Sequence, residues 1–231
     1  MGREHNTTIP QKRPSTDPTN IRPIALSNTV AKTFHLILSH RTTSYLTENK
    51  LIDPSVQKAF LPGISGCTEH NFGMSEIIKH IKHMKKTLHI TFFDLADAFG
   101  SVPHDVILQS LQRKHFPQQV QTYFQNFYSN IMWKVTTKTF HTDSFSFKKG
   151  VTQGDPMSAI IFILAFQPIS DHLMMNDKYG VLINEQRVIT LPYADDFCLT
   201  TTDMKSHKRL IAEIHSQINS MGMSLKPSKC R

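Results

Sequence analysis

The sequence predicts an α+β fold, an antiparallel sheet carrying acidic residues at a turn and backed by helices on one face. Three observations predict it. The apolar, β-branched run Leu88–Phe93 ends at Asp94, as a buried strand would. About a hundred residues further on, Tyr193-Ala194-Asp195-Asp196 stands between the apolar segment Val188–Leu191 and the strand-like Phe197–Thr201. Several longer segments instead repeat apolar residues at helical spacing. Both acidic clusters are therefore expected on neighbouring strands.

The elements follow in order. Residues 1–21 are polar and contain Pro10, Pro14 and Pro18, which predicts an extended lead-in without a packed face of its own. Val30, Phe34, Ile37 and Leu38 recur at helical spacing, so 28–48 reads as an amphipathic helix. Pro54 and Leu61-Pro62-Gly63 isolate a loop, and Glu69–Lys86 then forms a helix with a basic outer face. After the strand Leu88–Phe93, Pro103 opens a helix to about His115 and Pro117 another to Tyr128. Trp133–Phe147 alternates with Thr and Lys as a hairpin does. A long helix starting near Gly154–Pro156 buries Ile160, Ile161, Phe162, Leu164 and Ala165. Val181–Ile183 and Val188–Leu191 flank an Asn184-Glu185-Gln186 turn, Phe197–Thr201 continues as a strand, and Met204–Met221 closes as an amphipathic helix before Gly222.

A chain of 231 residues buries a substantial core, as one large domain or two small ones. Lys and Arg number 26 against 18 Asp and Glu, a net +8 that favours a polyanionic partner such as nucleic acid and leaves membrane headgroups open. Cys67, Cys198 and Cys230 lie far apart, without zinc-site or disulfide spacing, so a reducing intracellular compartment is expected. The first residues carry no apolar signal region, and Ala159–Phe166 is too short to cross a bilayer. Met1-Gly2 fails as a myristoylation signal because Asn6 occupies the Ser/Thr position.

Adjacent carboxylates at a turn repel unless a cation or hydrogen bonds offset them. A divalent metal is the economical explanation. In phosphoryl transfer, two Mg²⁺ ions about 3.5–4 Å apart activate the attacking hydroxyl and stabilise the leaving oxygen, and carboxylates on separate strands are suitable ligands. Asp94 and Asp195 would form that clamp with Asp196 beside it. An Asp-Asp pair alone also suits a surface turn, so its company decides.

That company is specific. Arg22-Pro23-Ile24, Phe93-Asp94 through Ala98-Phe99 to Ser101-Val102-Pro103-His104, Gly150-Val151-Thr152-Gln153-Gly154-Asp155-Pro156, Tyr193-Ala194-Asp195-Asp196, and Gly222 to Lys229 occur in this order. The set resembles the reverse transcriptase of non-LTR (LINE-type) retrotransposons, from Arg22 to the end. The resemblance implies a right-hand polymerase fold of fingers (about 22–87 and part of 105–150) and palm (about 88–104 and 151–231), with the antiparallel palm sheet backed by helices; in the family a thumb follows the palm, and its absence here is expected as a departure.

It further implies that Asp94, Asp195 and Asp196 are the metal-binding carboxylates, holding two Mg²⁺ ions with Mn²⁺ a possible substitute. Phe99 matches the bulky residue beneath the incoming sugar, where a rigid ring collides with a 2′-hydroxyl; a core phenylalanine is the competing reading. Gln153 and Gly154 match the contact to the nascent base pair and template, whereas Asp155 and Pro156 suit a helix start. Asp97 and Ala98 match positions whose backbone amides lie near the triphosphate. Arg22 and Lys58 are cationic candidates for that triphosphate, although Leu61-Pro62 follows Phe60 where relatives often carry a basic residue. Lys229 matches a lysine that protonates departing pyrophosphate, with fraying the competing reading. His104 belongs to the turn into a helix. The implied partners are an RNA template, a DNA primer and dNTPs, with no membrane and with oligomeric state open.

One departure is Gly100, where many relatives carry an aspartate. Two further readings compete with an RNA-directed DNA polymerase. A catalytically silent retrotransposon remnant would keep the fold and at most bind nucleic acid; intact Asp94, Asp195 and Asp196 count against it. A nucleotide cyclase would also place carboxylates on a hairpin; Gln153-Gly154 and Phe99 count against it.

Overall fold

The computed structural model describes residues 4–10, 21–137 and 139–231, with side chains from Ile24 onward apart from residue 138. Two compact units form. One combines the described residues up to Tyr45 with Phe99–Leu164, the other Leu46–Ala98 with Ala165–Arg231.

In the first unit a three-stranded sheet has the order β2-β1-β4. Strand β1 (Glu4–Pro10) runs antiparallel to β2 (Ile21–Leu26) and parallel to β4 (Trp133–Val135). Part of the polar lead-in is therefore a paired strand, because backbone hydrogen bonding holds an extended segment that lacks an apolar face. Residues 11–20 of the lead-in lie outside the described residues. Ala25, Ile131 and Trp133 form a core cluster with Phe127 and Phe145. The expected 133–147 hairpin narrows to β4 with bridges Trp133↔Phe145 and Thr136↔His141.

Helix α1 (Thr29–Glu48) follows Asn28, whose Oδ1 accepts the Val30 N–H at 2.8 Å. Its face departs from the sequence reading. Val30 is 78% exposed, and Phe34 and Ile37 also face solvent, whereas His35, Thr42 and Leu46 are buried. Polar residues turn inward where hydrogen-bond partners await them, and apolar periodicity does not register that.

Strand β3 (His89–Phe93) and short helix α3 (Ala98–Ser101) belong to the stretch around Asp94. Helices α4 (His104–Arg113) and α5 (Gln118–Asn130) each begin one residue after a proline and bury Ile107 and Leu111, and Phe124 and Tyr128. Helix α6 (Ser158–Met174) follows the Gly154–Pro156 segment as expected.

In the second unit β3 (His89–Phe93) pairs antiparallel with β7 (Phe197–Thr201), from His89↔Thr201 to Phe93↔Phe197. The Phe93 and Phe197 rings stack with centroids 4.6 Å apart. A small hairpin joins β5 (Val181–Ile183) to β6 (Gln186–Val188). Its turn is Asn184-Glu185, both at positive φ, and Gln186 belongs to the strand; two left-handed residues match the twist of a tight hairpin. Helix α2 (Gly66–His83) packs Ile77 and Ile81 against Val181, with Leu88 and Leu191 alongside. Asp203 caps α7 (Met204–Ser220) by accepting the Ser206 N–H at 2.7 Å, and α7 buries Leu210, Ile214 and Ile218. Among the described residues, no helix is long and apolar enough to cross a membrane.

The other edge of β3 is occupied by residues 225–231. Leu225 bridges Leu95, and Phe92 and Arg231 exchange backbone hydrogen bonds of 2.6 and 3.1 Å. Lys229 is thereby held beside β3, contrary to the fraying alternative.

Candidate active site

Asp94 follows the last residue of β3, and Asp195-Asp196 immediately precede β7, so antiparallel pairing brings both clusters to the same end of one ladder. Tyr193 and Asp196 exchange backbone hydrogen bonds of 2.7 and 3.1 Å, closing a tight turn with Ala194 at φ 56°. The buried Gln57 side chain steadies that turn. Its Oε1 accepts the N–H groups of Ala59 and Ala194, both at 3.0 Å.

Helix α2 supports the turn from below. At Gly66 a Cβ would lie 2.7 Å from both the Lys58 Cβ and the Lys58 carbonyl oxygen, and 2.9 Å from the Tyr193 ring. Only glycine allows this approach. Gly66→Ala is expected to cost about 1–3 kcal/mol, read as a lower midpoint in urea with an unchanged slope.

Asp94 is half-buried. Lys229 Nζ lies 3.4 Å from each of its carboxylate oxygens, and Oδ2 is inaccessible to solvent and has no hydrogen bond. Partial burial raises the Asp196 carboxyl above the usual aspartate range, and the negative charge of Asp94 raises it further while Lys229 opposes the rise. The residue as a whole remains exposed, so solvent limits the effect. Asp195 is half-buried in the same turn.

These acidic oxygens are hard ligands suited to a divalent cation, and the orphaned Asp94 oxygen is a vacant acceptor. Among the described residues no three His, Cys, Asp or Glu side chains form a ready-made metal cage. Mg²⁺ does not require one, since one or two carboxylates with substrate phosphates and water complete its shell.

Because its pKa is raised on folding, Asp196 favours the folded state below the ordinary aspartate pKa and loses that contribution as pH rises through its folded value. At neutral pH its charge therefore costs stability. Asp196→Asn is expected to raise Tm by about 1 °C at pH 7 without divalent ions, a few tenths of a kcal/mol after allowing for solvent screening. The gain should vanish near pH 3. Mg²⁺ or Mn²⁺ should raise the wild-type Tm and leave Asp94→Asn unchanged.

The remaining sequence candidates have separate settings. Lys58 is ion-paired with Glu69, and its N–H faces the Pro192 carbonyl at 3.4 Å. Asp97 is exposed at φ 48°, and Ala98 is buried. The backbone of Arg22 lies in β2, opposite Ile9; its side chain lies outside the described ones.

In the first unit, the Phe99 ring stacks on Phe162 at 4.9 Å with 6° between planes, and its carbonyl accepts the Val151 N–H at 2.7 Å. The Gln153 carbonyl accepts the Ala25 N–H at 2.8 Å. Gly154 has φ 100°, and a Cβ there would stand 3.1 Å from the Ala25 oxygen. His104 bonds the Gly150 carbonyl at 3.0 Å, with burial lowering its pKa, as suits a turn residue. Asp155 caps α6 by accepting the Met157 N–H at 2.8 Å, as its sequence position suggested.

Sequence reasoning missed Gln57 and His35. Gln57 directly precedes the Lys58 candidate, but nothing local indicated that its amide would hold Ala194. His35 was hidden inside an apolar-looking helix.

Comparison with known proteins follows the same outline. The family described as reverse transcriptase (RNA-dependent DNA polymerase) matches residues 9–231. The chain is 28% identical over 228 residues to the Retrovirus-related Pol polyprotein from type-1 retrotransposable element R2 of Nasonia vitripennis, covering 98% of this chain and 22% of that protein. It is 25% identical to the corresponding type-2 element R2DM polyprotein of Drosophila melanogaster, covering 96% and 20%. The chain thus spans about a fifth of the length of these relatives. Telomerase from Candida albicans in complex with a TWJ fragment of telomeric RNA shares the fold with a TM-score of 0.64 at 12% identity, over 99% of this chain and 41% of that one. Apo telomerase from Candida tropicalis gives 0.65 at 12%, over 98% and 45%.

Proposed function

The chain belongs to the reverse transcriptase (RNA-dependent DNA polymerase) family, in its non-LTR retrotransposon branch, and on that premise we propose that it carries the fingers and palm of an enzyme that extends a DNA primer on an RNA template with dNTPs. The observation that carries the proposal is the meeting of Asp94 and the Asp195-Asp196 turn at one end of the β3–β7 ladder, with Lys229 alongside.

Reverse transcriptase domains generally use divalent metal ions. Here Asp94 and Asp195 would hold two Mg²⁺ ions, with Asp196 beside them and Mn²⁺ a possible substitute. Bound there, the ions would supply the positive charge that favours ionisation of the primer 3′-hydroxyl and stabilises the leaving oxygen.

The primer 3′-oxygen, its proton released to solvent, bonds to the α-phosphorus as the bond to the pyrophosphate oxygen breaks in line. Lys229 donates a proton to departing pyrophosphate, and Asp94 keeps that ammonium oriented until the nucleotide enters. Arg22 and Lys58 offset triphosphate charge, with Lys58 first released from Glu69. The backbone amides of Asp97 and Ala98 approach the phosphates. Phe99 lies beneath the sugar, and Gln153-Gly154 meets the nascent base pair.

The test is extension of an oligo(dT) primer on poly-rA with Mg²⁺ or Mn²⁺, beside Asp195→Asn and a salt titration of RNA binding. Metal-dependent extension lost in the variant supports the proposal. RNA binding without extension in the wild type indicates a silent remnant, and product from free nucleotide without primer indicates a cyclase.

A further inference from the structure

His35 is 2% exposed and Asp155 8%, a buried pair joined by a hydrogen bond between His35 Nδ1 and Asp155 Oδ2 although 120 residues separate them in sequence. On its other side, His35 Nε2 lies 2.6 Å from the Tyr123 hydroxyl of α5. The second oxygen of Asp155 accepts the Met157 N–H at the start of α6. The donors and acceptors match along the chain. An ionised Asp155 only accepts, so His35 Nδ1 carries the proton and, in neutral imidazole, Nε2 accepts from Tyr123. The Phe127 ring packs edge-on against the imidazole, with ring centroids 5.0 Å apart.

A helix cap needs one acceptor oxygen. With Oδ1 of Asp155 serving as the cap, Oδ2 would ordinarily reach water; here it is fixed by His35 of α1. Asp155 directly follows Gln153-Gly154, whose other flank is held by β2 through the Ala25 N–H to Gln153 carbonyl bond. The turn is thus gripped from both sides. Buried polar pairs add little net stability over an apolar packing, but they fix one geometry.

We propose that His35, through Asp155 and braced by Tyr123, is a positioning residue that sets the Gln153-Gly154 turn and with it the fit of the incoming nucleotide against the template. The kinetic part rests on the polymerase reading above; the local-order part does not.

Three variants of the 231-residue chain test it: His35→Phe, His35→Phe/Asp155→Asn and Tyr123→Phe. His35→Phe leaves a buried carboxylate unpaired, so both thermal stability and turn position should suffer. The KM for dNTP should rise on the order of tenfold to a hundredfold with a smaller change in kcat, and the backbone N–H groups of Thr152, Gln153, Gly154, Asp155 and Met157 should exchange about tenfold faster or more. Adding Asp155→Asn removes the stranded charge, so Tm should return towards wild type while the high KM and fast exchange persist. Recovery of KM and exchange together with Tm would overturn the proposal, since a purely structural role predicts it. If His35→Phe fails to fold, Tyr123→Phe, which removes one hydroxyl, should speed the same amides about two- to fivefold, and unchanged exchange overturns the proposal. Wild-type protein without extension defeats the polymerase reading, and exchange alone then decides the role of His35.

Discussion

Asp195→Asn is expected to reduce primer extension by about 10³-fold or more while RNA binding and Tm stay near wild type. The exchange preserves the shape of the side chain and deletes the charge a divalent ion requires. The turn itself should survive, because it is closed by the Tyr193–Asp196 backbone bonds and steadied by Gln57, neither of which involves the residue 195 carboxylate. Asp94→Asn should match it in activity and differ in one respect. It also removes the charged partner of Lys229, so the lysine should become more reactive towards acylating reagents. Separate measurement of extension, filter binding and melting distinguishes lost chemistry from lost structure. Extension by Asp195→Asn within tenfold of wild type refutes the assignment.

Phe99→Val is expected to raise the rNTP-to-dNTP ratio of kcat/KM by roughly 10- to 100-fold, chiefly by improving ribonucleotide use. A gate excludes a hydroxyl only if it does not yield, and Phe99 has little freedom. Its ring lies against the fully buried Phe162, and its carbonyl is tied to the Val151 N–H. Valine withdraws the ring and leaves that backbone bond intact. Single-nucleotide incorporation of matched rATP and dATP opposite template uridine gives the ratio directly. An unchanged ratio assigns Phe99 to the core alone.

The strands and helices around the carboxylates were legible because each carried a local signal. Leu88–Phe93 is an apolar run short enough for a strand, and Pro103 and Pro117 mark helix starts through their fixed φ. The meeting of Asp94 with the 195–196 turn followed from pairing two such strands. The buried face of α1 was not legible. His35 points inward because Asp155 and Tyr123 satisfy it, and those partners lie 120 and 88 residues away. For the same reason Gln57 gave no sign of holding Ala194. The attachment of residues 225–231 to β3 also escaped notice, since Lys226-Pro227-Ser228-Lys229 has the composition of a loose tail and its order comes from backbone pairing.

That attachment has an irregularity. Leu225 faces Leu95 and Arg231 faces Phe92, so six residue steps on one side span three on the other. The surplus is taken up in a local turn, where the Lys229 N–H reaches the Lys226 carbonyl at 2.9 Å. Like a bulge in a strand, this detour re-aims one side chain, and it is what delivers the ammonium to the carboxylate. Excising three residues of the detour would let the segment lie flat along its neighbour and carry the cation out of reach; on the proposed reading, proton delivery would cease with Asp94, Asp195 and Asp196 untouched.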